Sequence, residues 1–226
     1  MMPQSTLIKI CGIKDVPMLF HAINAGADYV GFNHFPKSPR YVELSRIAEL
    51  IENTPKNIKS VVLLVDPDIA TLATILALEP DFIQLHGNES AAWIDKTFAD
   101  IKQPIIKVLP VGSKGDLESI GQFSGLVQHI LLDAKPSEFA SRPGGLGKTF
   151  DWSLLSGVDE NCRFFLAGGL NPDNVARAIA QVGPFGVDVA SGVETSPGIK
   201  DAELIKRFVS NARQADKDRL DIGHKI

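Results

Sequence analysis

Two titratable side chains close apolar runs in this chain. Cys11 ends Leu7-Ile8-Lys9-Ile10-Cys11 and is followed by Gly12, and Asp133 ends Ile130-Leu131-Leu132-Asp133. Runs of this kind read as buried parallel strands. Burial at a strand tip raises a carboxyl pKa and lets the group stay protonated as a general acid near neutrality. A thiol at such a tip acts as base or nucleophile when nearby positive charge favours its thiolate, or it packs as an inert buried group. Arg40 lies in Phe35-Pro36-Lys37-Ser38-Pro39-Arg40-Tyr41, a loop stiffened by two prolines. A guanidinium presented so rigidly suits bidentate pairing with a carboxylate. His86, in Gln84-Leu85-His86-Gly87, has no second His nearby and no Cys or Asp at zinc spacing. It is therefore expected to form hydrogen bonds or orient a neighbour, and no metal site is expected.

Three glycine-bearing segments form a second group. They are Gly144-Gly145-Leu146-Gly147-Lys148, Ala167-Gly168-Gly169-Leu170-Asn171 and Ala190-Ser191-Gly192-Val193. Glycine lets a backbone approach a ligand and aim several N–H groups at one point. A single Gly-Gly is a tight turn; three such loops after successive strands indicate a phosphate site. Gly145, Gly147, Gly168, Gly169, Ser191 and Gly192 are the candidate donors. Gly147-Lys148-Thr149 resembles the end of a nucleotide-binding P-loop, but Arg142 stands where its first glycine belongs, so a nucleoside triphosphatase is not expected.

The elements that must position these groups follow from periodicity. Apolar, β-rich runs occupy Leu7–Cys11, Tyr29–Asn33, Ser60–Val65, Phe82–His86, Ile105–Leu109, Ile130–Asp133, Phe164–Ala167 and Gly186–Ala190. Helix-period segments separate them: Asp15–Ala25, with Asp15 as cap and Phe20, Ile23 and Ala27 inward, then Leu44–Glu52, Asp68–Leu78, Glu89–Phe98, Lys114–Phe123, a short Asp151–Leu155, Pro172–Val182 entered through Asn171-Pro172, and Asp201–Arg213. This alternation predicts a parallel sheet. Eight such units in this length predict a single-domain α/β chain closed as a (β/α)8 TIM barrel. An open doubly wound sheet is disfavoured, because the turn after the first strand lacks G-x-G-x-x-G. The barrel is expected over residues 1–213, with 214–226 a polar tail that frays or extends the last helix.

Side chains on a strand alternate between faces. With Cys11 at the mouth, Lys9 points into the barrel, as do Gln84 and His86 on the fourth strand and Asp188 and Ala190 on the eighth. Strands one and eight are neighbours in a closed barrel, so Lys9 and Asp188 are expected to meet. That contact is either an internal ion pair or a placement of Asp188 against the substrate. Cys162 precedes the seventh strand, on the face that serves stability. Together the strand tips and glycine loops predict a small phosphorylated substrate spanning the mouth.

Bulk properties narrow the class. The chain has 226 residues, 44% of them apolar, and a formal charge of −4. These values suit a globular core and give no electrostatic reason to expect nucleic acid or an anionic membrane. No apolar run approaches the roughly 18 residues of a spanning helix, and Met1 to Thr6 does not read as a signal peptide. Two cysteines are too few for a disulfide framework, so a cytoplasmic location is expected.

These residues together resemble the phosphoribosylanthranilate isomerase family of tryptophan biosynthesis. The matching stretches are Lys9-Ile10-Cys11-Gly12, Gly31-Phe32 through Lys37-Ser38-Pro39-Arg40-Tyr41, Gln84-Leu85-His86-Gly87, Leu132-Asp133, Gly144 through Trp152, Ala167 through Pro172 and Val187 through Glu194. The resemblance implies a cofactor-free isomerase of TIM-barrel fold, monomer or homodimer, which carries out an Amadori rearrangement of N-(5-phosphoribosyl)anthranilate. It implies Asp133 as general acid, Cys11 as general base, Arg40 at the anthranilate end and the late glycine loops at the phosphate. His86 and Asp188 are expected to touch substrate. Leu146 and Ala190 depart from the Ser or Thr more usual there, and Asn33-His34 replaces a more usual apolar pair. A related indole-glycerol-phosphate synthase would need carboxylates beside a catalytic lysine; Lys107 lies inside the fifth strand on alternation, without evident carboxylates. A metal-dependent epimerase would need His and Asp ligands on several strands. A barrel that binds a phosphorylated metabolite without turning it over remains the non-enzymatic alternative.

Overall fold

In the computed structural model, which describes residues 5–136, 144, 149–159 and 162–223, each apolar run becomes a strand of one closed barrel. The strands are β1 Leu7–Cys11, β2 Tyr29–Asn33, β3 Lys59–Leu64, β4 Phe82–Leu85, β5 Ile105–Val111, β6 His129–Ala134, β7 Phe164–Leu166 and β8 Gly186–Val189. They are hydrogen-bonded in sequence order, and β1 closes on β8 with Lys9 opposite Asp188. All eight pairings are parallel. The fold is thus a (β/α)8 TIM barrel, as the alternation requires.

Helices α1 Val16–Ala25, α2 Leu44–Glu52, α3 Ile69–Leu76, α4 Ala91–Phe98, α5 Val175–Val182 and α6 Ala202–Gly223 surround the strands. The connections after β5 and β6 are instead 3-10 helices, Lys114–Phe123 and Trp152–Gly157. Asp15 caps α1 by accepting from the Met18 N–H at 2.8 Å, as its position predicts. Phe20, expected inward, is exposed (43%). The buried face runs through Leu19 and Ala22, and Phe20 lies about 100° around the helix from Leu19. The Asn171-Pro172 entry also differs: Asn171 to Asn174 form a turn, with the Asn171 side chain accepting from Asp173 N, and α5 begins at Val175. An Asx side chain closes such a turn on its own backbone.

Alternation sorts the core into two layers. Ile8, Ile10, Val30, Phe32, Val62 and Leu64 face the helices. Tyr29, Val61, Phe82, Ile106, Val108, Leu131 and Phe165 fill the barrel interior. Lys107 therefore faces outward, and it meets a carboxylate the sequence did not reveal: its Nζ donates to Glu89 Oε2 at 2.6 Å and to the Gly87 carbonyl at 2.8 Å. The bottom of the barrel is an aromatic plug in which His129 stacks between Phe82 and Phe185 and meets Phe165 edge-on. Helix α6 runs past Arg213 and anchors there. Asp216 accepts from Thr6 N and Oγ1 at 2.9 and 2.7 Å, and Arg213 pairs with Asp28 at 2.7 Å. No helix of the described residues is long and apolar enough to cross a membrane.

Candidate active site

The C-terminal mouth of the barrel holds a cavity whose lining includes Cys11, Arg40, His86, Asp133, Asp188, Gly168, Gly169 and Ser191. The tips of four strands, β1, β4, β6 and β8, and the loops after β2, β7 and β8 thus converge on one space. Gly192 lies directly behind Ser191 in the same turn. Gly145 and Gly147, with Leu146 and Lys148, lie outside the described residues.

Cys11 sits at the tip of β1 and is 4% exposed. Beneath it, fully buried Lys9 donates from Nζ to Asp188 Oδ1 at 2.7 Å. The expected contact is therefore an ion pair, and Asp188 also lines the cavity. Gly31 of β2 gives both groups room: a Cβ there would stand 2.9 Å from Cys11 Sγ and 3.2 Å from Lys9 Nζ. Burial pushes the Cys11 thiol above its ordinary range, with Asp188 adding to the rise and Lys9 and Lys200 opposing it. Burial alone would lower the Lys9 ammonium, but Asp188 and Cys11 outweigh it and hold it above its ordinary value.

Across the mouth, buried Asp133 ends β6. Its Oδ1 accepts from the Ala134 N–H at 2.8 Å, and its Oδ2 stands 3.5 Å from His86 Nε2. Among the described residues, His86 Nε2 and Gln84 Oε1 are buried without hydrogen-bond partners. Both residues line the cavity, so these atoms are available to a ligand. Gly144 lies against this pair: a Cβ there would be 2.7 Å from both Asp133 Oδ2 and His86 Nε2.

Arg40 is buried, and its fork is already engaged. Nε and Nη2 donate to Glu194 Oε1 and Oε2, each at 2.7 Å, so among the described residues Nη1 is the nitrogen left for a ligand. Glu194 also accepts from Lys200 Nζ at 2.8 Å and from the Gly198 N–H at 3.2 Å, and Lys200 donates to the Ala190 carbonyl at 2.8 Å. Burial would raise the Glu194 carboxyl, but Arg40 and Lys200 hold it below its usual range. Burial lowers the Lys200 ammonium despite the pull of Glu194. Glu194 and Lys200 belong to a small hairpin, β9 Glu194–Ser196 with β10 Ile199–Lys200. Sequence reasoning missed their role. Glu194 is 154 residues from Arg40, and no local spacing encodes such a pair.

The glycine loops interlock. Gly168 has φ +80°, and a Cβ on it would come within 2.6 Å of the Ala134 nitrogen. A Cβ on Gly192 would stand 1.8 Å from the Leu170 carbonyl oxygen. The end of β6 and the loops after β7 and β8 therefore approach backbone to backbone, which only glycine permits. The N–H groups of Gly168 and Gly169 donate to no acceptor among the described residues. Such groups form an anion-binding concavity. Among the described residues no group of three His, Cys, Asp or Glu side chains is placed to hold a metal ion.

Comparison with known proteins agrees with this fold. Residues 8–211 match the family model for N-(5'phosphoribosyl)anthranilate (PRA) isomerase. The N-(5'-phosphoribosyl)anthranilate isomerase of Rhodopseudomonas palustris (strain BisB18) is 44% identical over 212 residues, 93% of this chain and 97% of that protein. The crystal structure of phosphoribosyl anthranilate isomerase from Thermotoga maritima superposes with a TM-score of 0.83 at 37% identity, over 92% of this chain and 99% of that one. A structure of phosphoribosyl anthranilate isomerase in complex with reduced 1-(o-carboxyphenylamino)-1-deoxyribulose 5-phosphate gives 0.80 at 34% identity, over the same shares.

Proposed function

Because this chain belongs to the N-(5'-phosphoribosyl)anthranilate isomerase family, we propose that its Cys11 and Asp133 are the base and the acid of the family's Amadori rearrangement. The carrying observation is that the two side chains face one cavity from opposite parts of the barrel, β1 and β6, with Arg40 and the glycine loops in the same lining. The substrate is N-(5-phosphoribosyl)anthranilate, a small molecule with a phosphate at one end and a carboxylate at the other.

Asp133 protonates the furanose ring oxygen. The C1–O bond breaks, the anthranilate nitrogen supplies the electron pair, and a protonated Schiff base forms. This cation makes the C2 proton acidic. Cys11, as thiolate, removes it, and the electron pair moves into the C1–C2 bond and neutralises the nitrogen. The enolamine then tautomerises to the ketone. The substrate's own imine is the electron sink, so the step needs general acid–base groups alone. His86 stands beside Asp133 and orients its proton. The Asp188 oxygen not engaged by Lys9 accepts from a sugar hydroxyl. Arg40 Nη1 takes the anthranilate carboxylate, a charge-assisted contact. The backbone of Gly168, Gly169, Ser191 and Gly192 takes the phosphate, joined in this reading by Gly145 and Gly147.

Cys11→Ala and Asp133→Ala test the assignment. Each is expected to lower kcat by at least about a hundredfold, as loss of a general acid or base does, while KM changes little. Turnover is followed by the loss of anthranilate fluorescence from freshly made substrate. Near-normal turnover in either variant overturns the role of that residue. A folded wild-type protein that leaves the fluorescence unchanged would instead favour a binding barrel.

A further inference from the structure

The Lys9–Asp188 pair is buried under the site, and its geometry differs from that of an ion pair which only fills a core. Lys9 is fully buried, and its Nζ donates to Asp188 Oδ1 at 2.7 Å while also meeting the Cys11 side chain. An ammonium has three donors. Lys9 and Cys11 are two residues apart on one strand and so share a face. Position 31 on the adjacent strand is glycine, and a Cβ there would close on Sγ and Nζ together. The space withheld from a side chain is the space the ammonium and the sulfur share.

We propose that Lys9 and Asp188 are positioning residues for Cys11: the Lys9 ammonium holds the thiolate form at the strand tip, and Asp188 sets how much of that charge the sulfur feels. The inference rests on the reading of Cys11 as base. The other charged groups around the sulfur are Lys200 from β10, Arg40, whose stem packs at Gly12, and Asp133 and His86 across the cavity. None of these shares the strand of Lys9, and the two buried cations among them, Arg40 and Lys200, are both engaged by Glu194. A cation next to a thiol favours the thiolate, and an anion competing for that cation disfavours it.

The two members of the pair are therefore expected to move the thiol in opposite directions. In a Cys162→Ser background, Cys11 is the only cysteine. Its titration is read as thiolate absorbance at 240 nm, with the same protein carrying Cys11→Ser subtracted. Lys9→Met is expected to raise the midpoint by at least about one pH unit, and Asp188→Asn to lower it. A pair that only stabilises the fold moves both variants the same way or neither; either result overturns the proposal. If Lys9→Met does not fold, Asp188→Asn decides alone, and an unchanged or raised midpoint overturns it. The titration needs no turnover, so it stands apart from the Cys11→Ala test of the base itself.

Discussion

A single methyl group at position 192 has nowhere to go, because the Leu170 carbonyl oxygen lies 1.8 Å from where it would be built. Gly192→Ala must therefore push the loop after β8 away from the loop after β7, and with it Ser191 away from Gly168 and Gly169, the phosphate donors proposed above. KM for the substrate and the inhibition constant for inorganic phosphate are expected to rise at least tenfold, or about 1.4 kcal/mol, with kcat at saturation little changed. Gly157→Ala, where nothing lies within 4 Å of the added methyl, is the matched control. An unchanged phosphate constant in Gly192→Ala would place the phosphate elsewhere. At this scale the sequence was informative wherever composition is unusual. Glycine pairs after successive strands and charged or thiol groups at strand tips stand out from any apolar run. Glu194 did not stand out, because a lone carboxylate becomes meaningful only when the fold brings Arg40 and Lys200 to it.

The hairpin of β9 and β10 works as one element. Through Glu194 it holds the Arg40 fork, and through Lys200 it holds the Ala190 carbonyl beside the proposed phosphate turn. Breaking one member of a buried ionic network leaves the others uncompensated, at a cost of about 3 kcal/mol. Glu194→Gln is therefore expected to lower stability to urea by that order. It is also expected to raise KM at least tenfold while kcat stays within about threefold. Ribose 5-phosphate, which lacks the aryl carboxylate, should inhibit the variant and the wild type equally. If its inhibition weakens in parallel with KM, Glu194 serves the phosphate turn rather than Arg40. Among the elements themselves, apolar runs marked all eight strands, since buried parallel strands are largely apolar on both faces. The helical segments were less legible. Lys114–Phe123 and Trp152–Gly157 are 3-10, and periodicity over so short a span does not separate the two helix types. Phe20 was misplaced because a large apolar residue next to an amphipathic stripe looks like part of it.

The barrel divides its labour between two ends, and the bottom end carries its own titration. His129 is buried, its Nδ1 without a partner among the described residues, stacked on Phe82 and Phe185, and Arg163 lies over the Phe185 ring. Burial, with Arg163 adding to it, pushes the His129 imidazole down from 6.5 to about 4. Above pH 6.5 the ring is neutral in both folded and unfolded chains, and its contribution to stability is complete. As pH falls from 6.5 toward 4, the unfolded chain takes up a proton that the native plug refuses, so stability declines. Each tenfold loss of proton affinity on folding is worth about 1.4 kcal/mol, so the decline across this window is on the order of 3 kcal/mol. His129→Phe keeps an aromatic ring in the stack and removes the titrating group. Whatever its stability at pH 7, its urea-unfolding free energy should fall less between pH 7 and pH 4.5 than that of the wild type. Because the cavity lies at the opposite end of the strands, kcat at pH 7 should not change. Equal acid sensitivity in the two proteins would assign the loss to other groups.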